Sequence, residues 1–418
     1  MSEAGGDPRP LTLCVTSLDG ARGGVAASNA CLRAAMAALA RRRGAALEIL
    51  SLHDAPEDAA RLAPGAAVRA FRGATLRFAL AALRAAPRAR MMAFDHAHLA
   101  APLLALAPSR RPRIAVIGHG SEVGRALRRR SAASLAAADI VLTNSDHTLR
   151  AMRAALGAAL SPERAARIGR ACPLGLPPHS AATAYPPSEA ESAAARSGLS
   201  LRAADGADRP IGARMLLLVG RMDAGEGEKG QAEMIDAMPS LLAAHPGAQL
   251  VLAGGGSDEA RLRADAAASD AAGALFLTGR APRPMLERLY QAAHAFAMPS
   301  RQEGFGLVFL EAMNRAKPCL ACRGDGGAEV VVDGETGVLI DQPVRREALV
   351  AALSQLLADP ARAARLGAAG WRRLQERFSA AAHRARLMEH LGPLLDGAPA
   401  PAAAPRAPAF AAAQESRG

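Results

Sequence analysis

Short apolar runs, each closed by a glycine or polar turn and followed by a helix-like stretch, recur along this chain and leave few folds open to it. They fall at residues 11–16, 91–94, 114–117, 140–143, 215–219, 250–253, 275–278 and 295–298. The runs are apolar almost throughout and do not alternate, which is the pattern of strands buried on both faces. Strand, turn and helix in repetition build parallel sheets with helices on both sides. At 418 residues the chain exceeds what one typical core serves, so two α/β domains are expected, at 1–177 and 213–360. The stretch 178–212 is rich in Pro, Ser and Ala and lacks periodicity, so it reads as a connector with a flexible insertion.

Composition removes several classes of function. The net charge of +12 is compatible with a nucleic-acid partner. Against this, the bases are arginines spread over many helices, and aromatics are only 3% of the chain, too few to stack on nucleobases. No nucleic acid is expected. No apolar run approaches the ~20 residues of a membrane span. The opening MSEAGGDPRP has neither a basic nor an apolar leader region, so no signal peptide is expected. Cysteines at 14, 31, 172, 319 and 322 form no framework, and Cys319 and Cys322 make a lone C-x-x-C without a second pair or nearby His. Buried, reduced thiols in a cytoplasmic protein are expected, with no zinc.

The densest chemistry lies at 299–313, PSRQEGFGLVFLEAM. Glu303 and Glu311 stand eight apart, with Gly304-Phe305-Gly306 breaking the backbone between them. The segment reads as strand, loop and helix. A helix starting near Gly306 turns free N–H groups toward the loop, where an anion such as a diphosphate binds. Carboxylates on either side could each accept from a vicinal diol, a ribose and a sugar. An ordinary strand–helix junction with a loop Glu and a helix Glu is the alternative.

This segment resembles the Glu-x7-Glu signature of the retaining family-4 glycosyltransferases. The likeness continues through Lys317-Pro318, Gly326-Gly327, Glu329-Val330-Val331 and Asp333-Gly334 to Gly337, and covers roughly 215–378. It is weaker in the N-terminal half. The resemblance implies the GT-B architecture, two Rossmann-like domains with parallel sheets facing a central cleft. It implies that the helices of 361–396 cross back to the first domain. The Ala/Pro-rich 397–418 is expected as a disordered tail. Two departures stand out: Ala316 precedes Lys317-Pro318 where Gly is common, and Glu228 occupies a place often aromatic.

The resemblance also implies site residues. Arg221 and Lys229 would neutralise the donor diphosphate, and Lys229 is one of only two lysines, with Lys317. Glu303, Phe305, Gly306, Leu307 and Glu311 would complete the donor site. So would Gly23 and Gly24, a strand–glycine–helix turn that is weak evidence alone. His119, between two glycines at a strand end, would lie close to the transferred sugar. His119, Glu303, Arg221 and Lys229 thus become the catalytic set, with no metal and no cofactor. His96 and His98 either line an acceptor cleft or cap the following helix. Residues 61–94 hold seven arginines and no acid, with Leu76, Leu80 and Leu83 on one helical face. A solvated helix with its apolar side on the sheet explains them, and contact with an anionic membrane is the sharper alternative.

The expectation is a retaining glycosyltransferase moving a hexose from a nucleotide sugar to a sugar, lipid-linked or polysaccharide acceptor. Surface polysaccharide or glycoconjugate synthesis would be its setting, in the cytoplasm or at the inner face of the membrane. The rivals are a sugar-nucleotide epimerase or hydrolase on the same fold and a non-catalytic carbohydrate- or nucleotide-binding relative.

Overall fold

The computed structural model describes residues 7–20, 23–120, 127–157, 159–178, 180, 182–225 and 229–396. The expectations about Glu228 and the tail at 397–418 lie outside these residues. The first sheet comprises β1 (Leu11–Val15), β2 (Leu47–Ser51), β3 (Ala67–Ala70), β4 (Met91–Phe94), β5 (Arg113–Gly118), β6 (Ile140–Thr143) and β7 (Gly169–Ala171). Their spatial order is β3-β2-β1-β4-β5-β6-β7, with parallel neighbours throughout. A short antiparallel hairpin, β8 (Ser200–Arg202) and β9 (Asp208–Pro210), precedes the second sheet. That sheet holds β10 (Met215–Val219), β11 (Gln249–Ala253), β12 (Leu275–Gly279), β13 (Ala295–Ala297), β14 (Cys319–Cys322) and β15 (Gly337–Ile340). Its order is β12-β11-β10-β13-β14-β15, again parallel. Both sheets therefore reverse direction of growth once, between β1 and β4 and between β10 and β13. Ligands of doubly wound sheets bind beyond the strand C-termini at such points.

Residues 182–212 carry regular structure that their composition does not suggest. Ser188 opens the helix Glu189–Arg196 with a capping box, its hydroxyl accepting from Glu191 N at 3.3 Å while Glu191 accepts from Ser188 N at 2.8 Å. The hairpin bridges to the second sheet through Ala203 and Phe276. Buried Lys317 ties the helix down by donating to Ser192 Oγ at 2.7 Å, and burial pushes its ammonium down to about 8. The second lysine of the chain is thus structural.

Two helices follow the second sheet, Pro360–Arg377 and Ala380–Leu395. The second lies on the first domain, where Leu387, Leu391, Leu394 and Leu395 join Leu32, Met36 and Leu39 in one buried cluster. Burying a leucine contributes about 1.5–3 kcal/mol, so this return helix is firmly held. The outgoing and returning strands of the crossover touch. Leu176 N donates to Phe378 O at 2.7 Å, and a side chain at Gly175 would come within 2.7 Å of Ser379 O.

Ala316 has φ 52°, one of two non-glycine residues with positive φ among those described. That backbone costs an alanine about 1 kcal/mol and accounts physically for the glycine common there in the resembling family.

The helix Thr75–Ala85 is solvated with an apolar side on the core, as the plainer expectation for the arginine-rich stretch has it, but that side is not the leucine face. Phe78, Ala81, Ala82 and Ala85 face the core, whereas Leu76 is 71% and Leu80 43% exposed. No helix among the described residues is long and apolar enough to cross a membrane.

Candidate active site

The loop from β13 to the helix Leu307–Asn314 depends on glycine at Gly306. This residue caps the helix with φ 88°, and a Cβ there would collide with the Phe309 ring. The Phe305 ring turns into the core against Phe378, centroids 5.7 Å apart, and is 1% exposed. Phe305 therefore shapes the loop by packing and offers no ring to a ligand. Glycine caps two further helices, Gly23 before Gly24–Arg42 and Gly230, with φ 88°, before Gln231–Ala244. None of the three has a side-chain cap. Ser145, Ser161, Ser188, Asp359 and Ser379 do cap their helices. A helix N-terminus left uncapped in a cleft is suited to an anion.

The structure brings these ends together. A Cβ at Gly24 would lie 3.5 Å from Leu307 Cδ1, so the first domain's glycine turn meets the first residue of the second domain's helix. A Cβ at Gly230 would lie 2.5 Å from Pro299 Cγ, at the start of the same loop. Between them Lys229 Nζ donates to Glu303 Oε2 at 2.8 Å, with both side chains mostly shielded. Asp325 completes the group, accepting from Glu303 N at 3.1 Å and from Gly327 N at 2.8 Å. Burial pushes its carboxyl up to about 7; the two amides oppose this, the Glu303 charge adds to it and Lys229 opposes it. Sequence reasoning missed Asp325, although it immediately precedes the Gly326-Gly327 pair of the matching motif.

Glu311 is already engaged. Its Oε1 accepts from Arg283 Nη1 at 2.6 Å and Ser180 Oγ at 2.8 Å, and its Oε2 from Tyr290 OH at 3.0 Å. A ribose diol would bond to it by sharing or displacing these partners. Arg221 follows β10 with 66% of its side chain exposed, Nη1 standing 3.8 Å from Asp223 Oδ2. Its carbonyl accepts from Gln231 Nε2 at 3.0 Å, which ties this turn to the Gly230-capped helix.

His119 directly follows β5, half-buried, and its carbonyl accepts from Asn144 Nδ2 at 2.7 Å. Its ring is near His383 of the return helix, whose pKa falls to about 3 through burial, then Arg386 and His119. His96 caps the short helix Ala97–Ala105, accepting from His98 N at 3.4 Å. Asp95, fully buried before it, accepts from Thr16 Oγ1 at 2.6 Å and Asn29 Nδ2 at 2.7 Å. It fixes the strand end from which the Gly23 turn departs. The five cysteines are buried and free, and burial raises the thiols of Cys319 and Cys322 in β14. No group of three or more metal-ligating side chains occurs among the described residues.

Residues 208–373 match the family Glycosyl transferases group 1. The matched stretch is about two fifths of the chain. The chain is 36% identical over 170 residues to a GDP-mannose-dependent alpha-(1-6)-phosphatidylinositol monomannoside mannosyltransferase of Mycolicibacterium smegmatis, covering 39% of this chain and 42% of that one. It is 37% identical over 173 residues to a glycogen synthase of Mycobacterium tuberculosis, covering 41% of each. The chain thus spans about two fifths of the length of the curated relatives it matches. Whole-chain similarity appears in solved structures. HepE of Anabaena, solved with UDP-glucose, aligns at TM-score 0.68 and 17% identity, covering 91% of this chain and 99% of that one. Sucrose-phosphate synthase of Thermosynechococcus elongatus aligns at 0.70 and 21%, covering 93% and 100%. The fold is GT-B, and the cleft described above lies between its two domains.

Proposed function

We propose that this chain transfers a hexose from a nucleoside diphosphate sugar to an acceptor hydroxyl, with retention at the anomeric carbon. One observation carries the reading: Lys229, paired with Glu303, stands beside the glycine-capped helix ends at Gly230 and Gly306, where the first domain's glycine turn meets Leu307. An ammonium and uncapped helix amides are what a departing diphosphate needs as negative charge develops on it. Glu303 is the group for the transferred sugar, Glu311 for the ribose, and Arg221 a second cation for the phosphates. His119, on the opposite wall, approaches the sugar from the acceptor side. In the step itself the bond from the anomeric carbon to the phosphate oxygen breaks, and its electron pair leaves on the diphosphate. The acceptor oxygen bonds to the same face of that carbon and passes its proton to the leaving phosphate oxygen.

The relatives named above support the nucleotide-sugar class. Purified protein incubated with UDP-glucose, GDP-mannose and other nucleotide sugars should release nucleoside diphosphate with at least one of them, faster when an acceptor glycan is added. Isomerisation of the donor alone would favour an epimerase. No turnover and no thermal stabilisation by any nucleotide or nucleotide sugar would overturn the reading.

The exposed Leu76 and Leu80, flanked by exposed Arg77, Arg84 and Arg88, favour a second feature, docking of the first domain on an anionic bilayer. Leucines enter the headgroup boundary while each nearby arginine contributes about 1 kcal/mol, weakened by salt. A cytoplasmic enzyme at the inner membrane face would reach lipid-linked acceptors in this way. The protein is expected to float with phosphatidylserine-containing liposomes at low salt, and the double change Leu76→Glu, Leu80→Glu to abolish it. Absence of the wild-type protein from the floated fraction would remove the docking proposal and leave the transferase reading intact.

A further inference from the structure

The loop carrying Glu303 is held from both domains. From its own side, Asp325 Oδ2 accepts Glu303 N at 3.1 Å and Gly326 N donates to Glu303 O at 2.7 Å. From the first domain, the fully buried Ser145 donates its hydroxyl to Gly304 O at 2.6 Å, and Thr148 Oγ1 lies 3.3 Å from the same oxygen. Gly304 admits this approach because it lacks a side chain. A Cβ there would lie 2.7 Å from His119 O and 3.3 Å from Asn144 Nδ2.

The same helix end is bound a second time. Ser145 caps the helix Asp146–Leu156 by accepting from Thr148 N at 3.0 Å. The next two amides cross the cleft: Asp146 N donates to Glu329 Oε2 at 2.8 Å and His147 N to Glu329 Oε1 at 2.6 Å. A carboxylate from the second domain thus serves as the anion at a helix N-terminus of the first. Glu329 stands two residues past Gly327, on the segment that holds Glu303 from behind. One helix end therefore senses the second domain at both Gly304 and Glu329.

We propose that Ser145 and Glu329 are positioning residues. Together they fasten the domains in the closed arrangement and, through Gly304, fix the Glu303 carboxylate beside Lys229. The bonds to Gly304 O and to Glu329 run between domains, so opening the cleft releases the Gly304 carbonyl, and with it one of the holds on the Glu303 loop. The sugar-holding group is then firmly placed only when the acceptor wall has arrived. The catalytic part of this proposal rests on the transferase reading; the fastening does not.

The test compares Ser145→Ala, Glu329→Ala and Glu329→Gln with the full-length wild-type protein, by small-angle X-ray scattering and by steady-state kinetics with a donor found by screening. Small displacements of a reacting group can cost about a hundredfold in rate. Ser145→Ala and Glu329→Ala are therefore expected to lower kcat by about ten- to a hundredfold and to enlarge the radius of gyration. Their affinity for nucleoside diphosphate should stay near wild type, because Lys229 and the helix amides are untouched. Glu329→Gln keeps an acceptor oxygen and should recover part of both losses. Unchanged scattering and unchanged kcat in both alanine variants would overturn the proposal. So would a lower melting temperature with kcat intact, since a merely structural cap behaves that way. If one variant fails to fold, the other and Thr148→Val carry the comparison. Should the wild-type protein transfer no sugar, the functional reading fails, and scattering alone decides whether the fastening exists.

Discussion

Lys229→Ala is expected to weaken nucleoside diphosphate binding by about ten- to a hundredfold, with the fold intact. A charge-assisted hydrogen bond contributes about 1.5–3 kcal/mol, and each 1.4 kcal/mol is a factor of ten in affinity. The structure adds a second consequence. Lys229 is also the counter-charge of Glu303, whose charge Asp325 feels, so its removal leaves the two carboxyl groups without the cation they share. The loop then meets the incoming phosphates with an excess of negative charge. Arg221→Ala should cost less, because its guanidinium is largely in water and water screens what it contributes. Calorimetric titration of UDP and GDP into both variants checks the ranking. Wild-type affinity in Lys229→Ala would remove the diphosphate site from this cleft, and a larger loss in Arg221→Ala would transfer the main role to Arg221.

The ranking of the two cations was not available from the sequence, whereas their placement on neighbouring turns was. Lys229 and Arg221 sit at the turns that follow β10, and Glu303 and Gly306 at the turn that follows β13, so each is fixed by local strand–helix geometry. Strands such as Met215–Val219, buried on both faces, announce themselves as unbroken apolar runs. Leu47–Ser51 and Ala67–Ala70 are strands as well, but they lie toward the sheet edge, and Glu48 and Arg69 break the apolar pattern. The helix Glu189–Arg196 carried a readable signal in Ser188-x-x-Glu191, hidden by the Pro/Ser/Ala composition around it. The Glu311 cluster had no local signal. Ser180 and Arg283 reach it across 131 and 28 positions of sequence, through a crossover that only the folded chain creates. Glu329 belonged to the matching motif, yet its partners, the amides of 146 and 147, are in the other domain.

That cluster changes what is expected of the two glutamates of the motif. Glu303 stands in the loop paired with Lys229, and its proposed task is to hold the sugar as the anomeric carbon gains positive charge. Glu303→Ala should chiefly lower kcat, because that interaction strengthens on the way to the transition state. Glu311→Ala should raise the donor KM, since ribose contacts are equal before and during the reaction. It should also destabilise the second domain. Tyr290 OH and Ser180 Oγ are buried and would each lose an acceptor, at about 1–3 kcal/mol per group. Arg283 would lose a partner too, although it reaches solvent and Glu287 still accepts from its Nε at 2.9 Å. Glu311→Gln keeps an acceptor for one of the two hydroxyls and should recover part of the stability while leaving KM raised. Steady-state kinetics and thermal unfolding of the three variants separate these effects. A Glu303→Ala enzyme with wild-type kcat, or a Glu311→Ala protein as stable as wild type, would show that the roles are assigned to the wrong carboxylates.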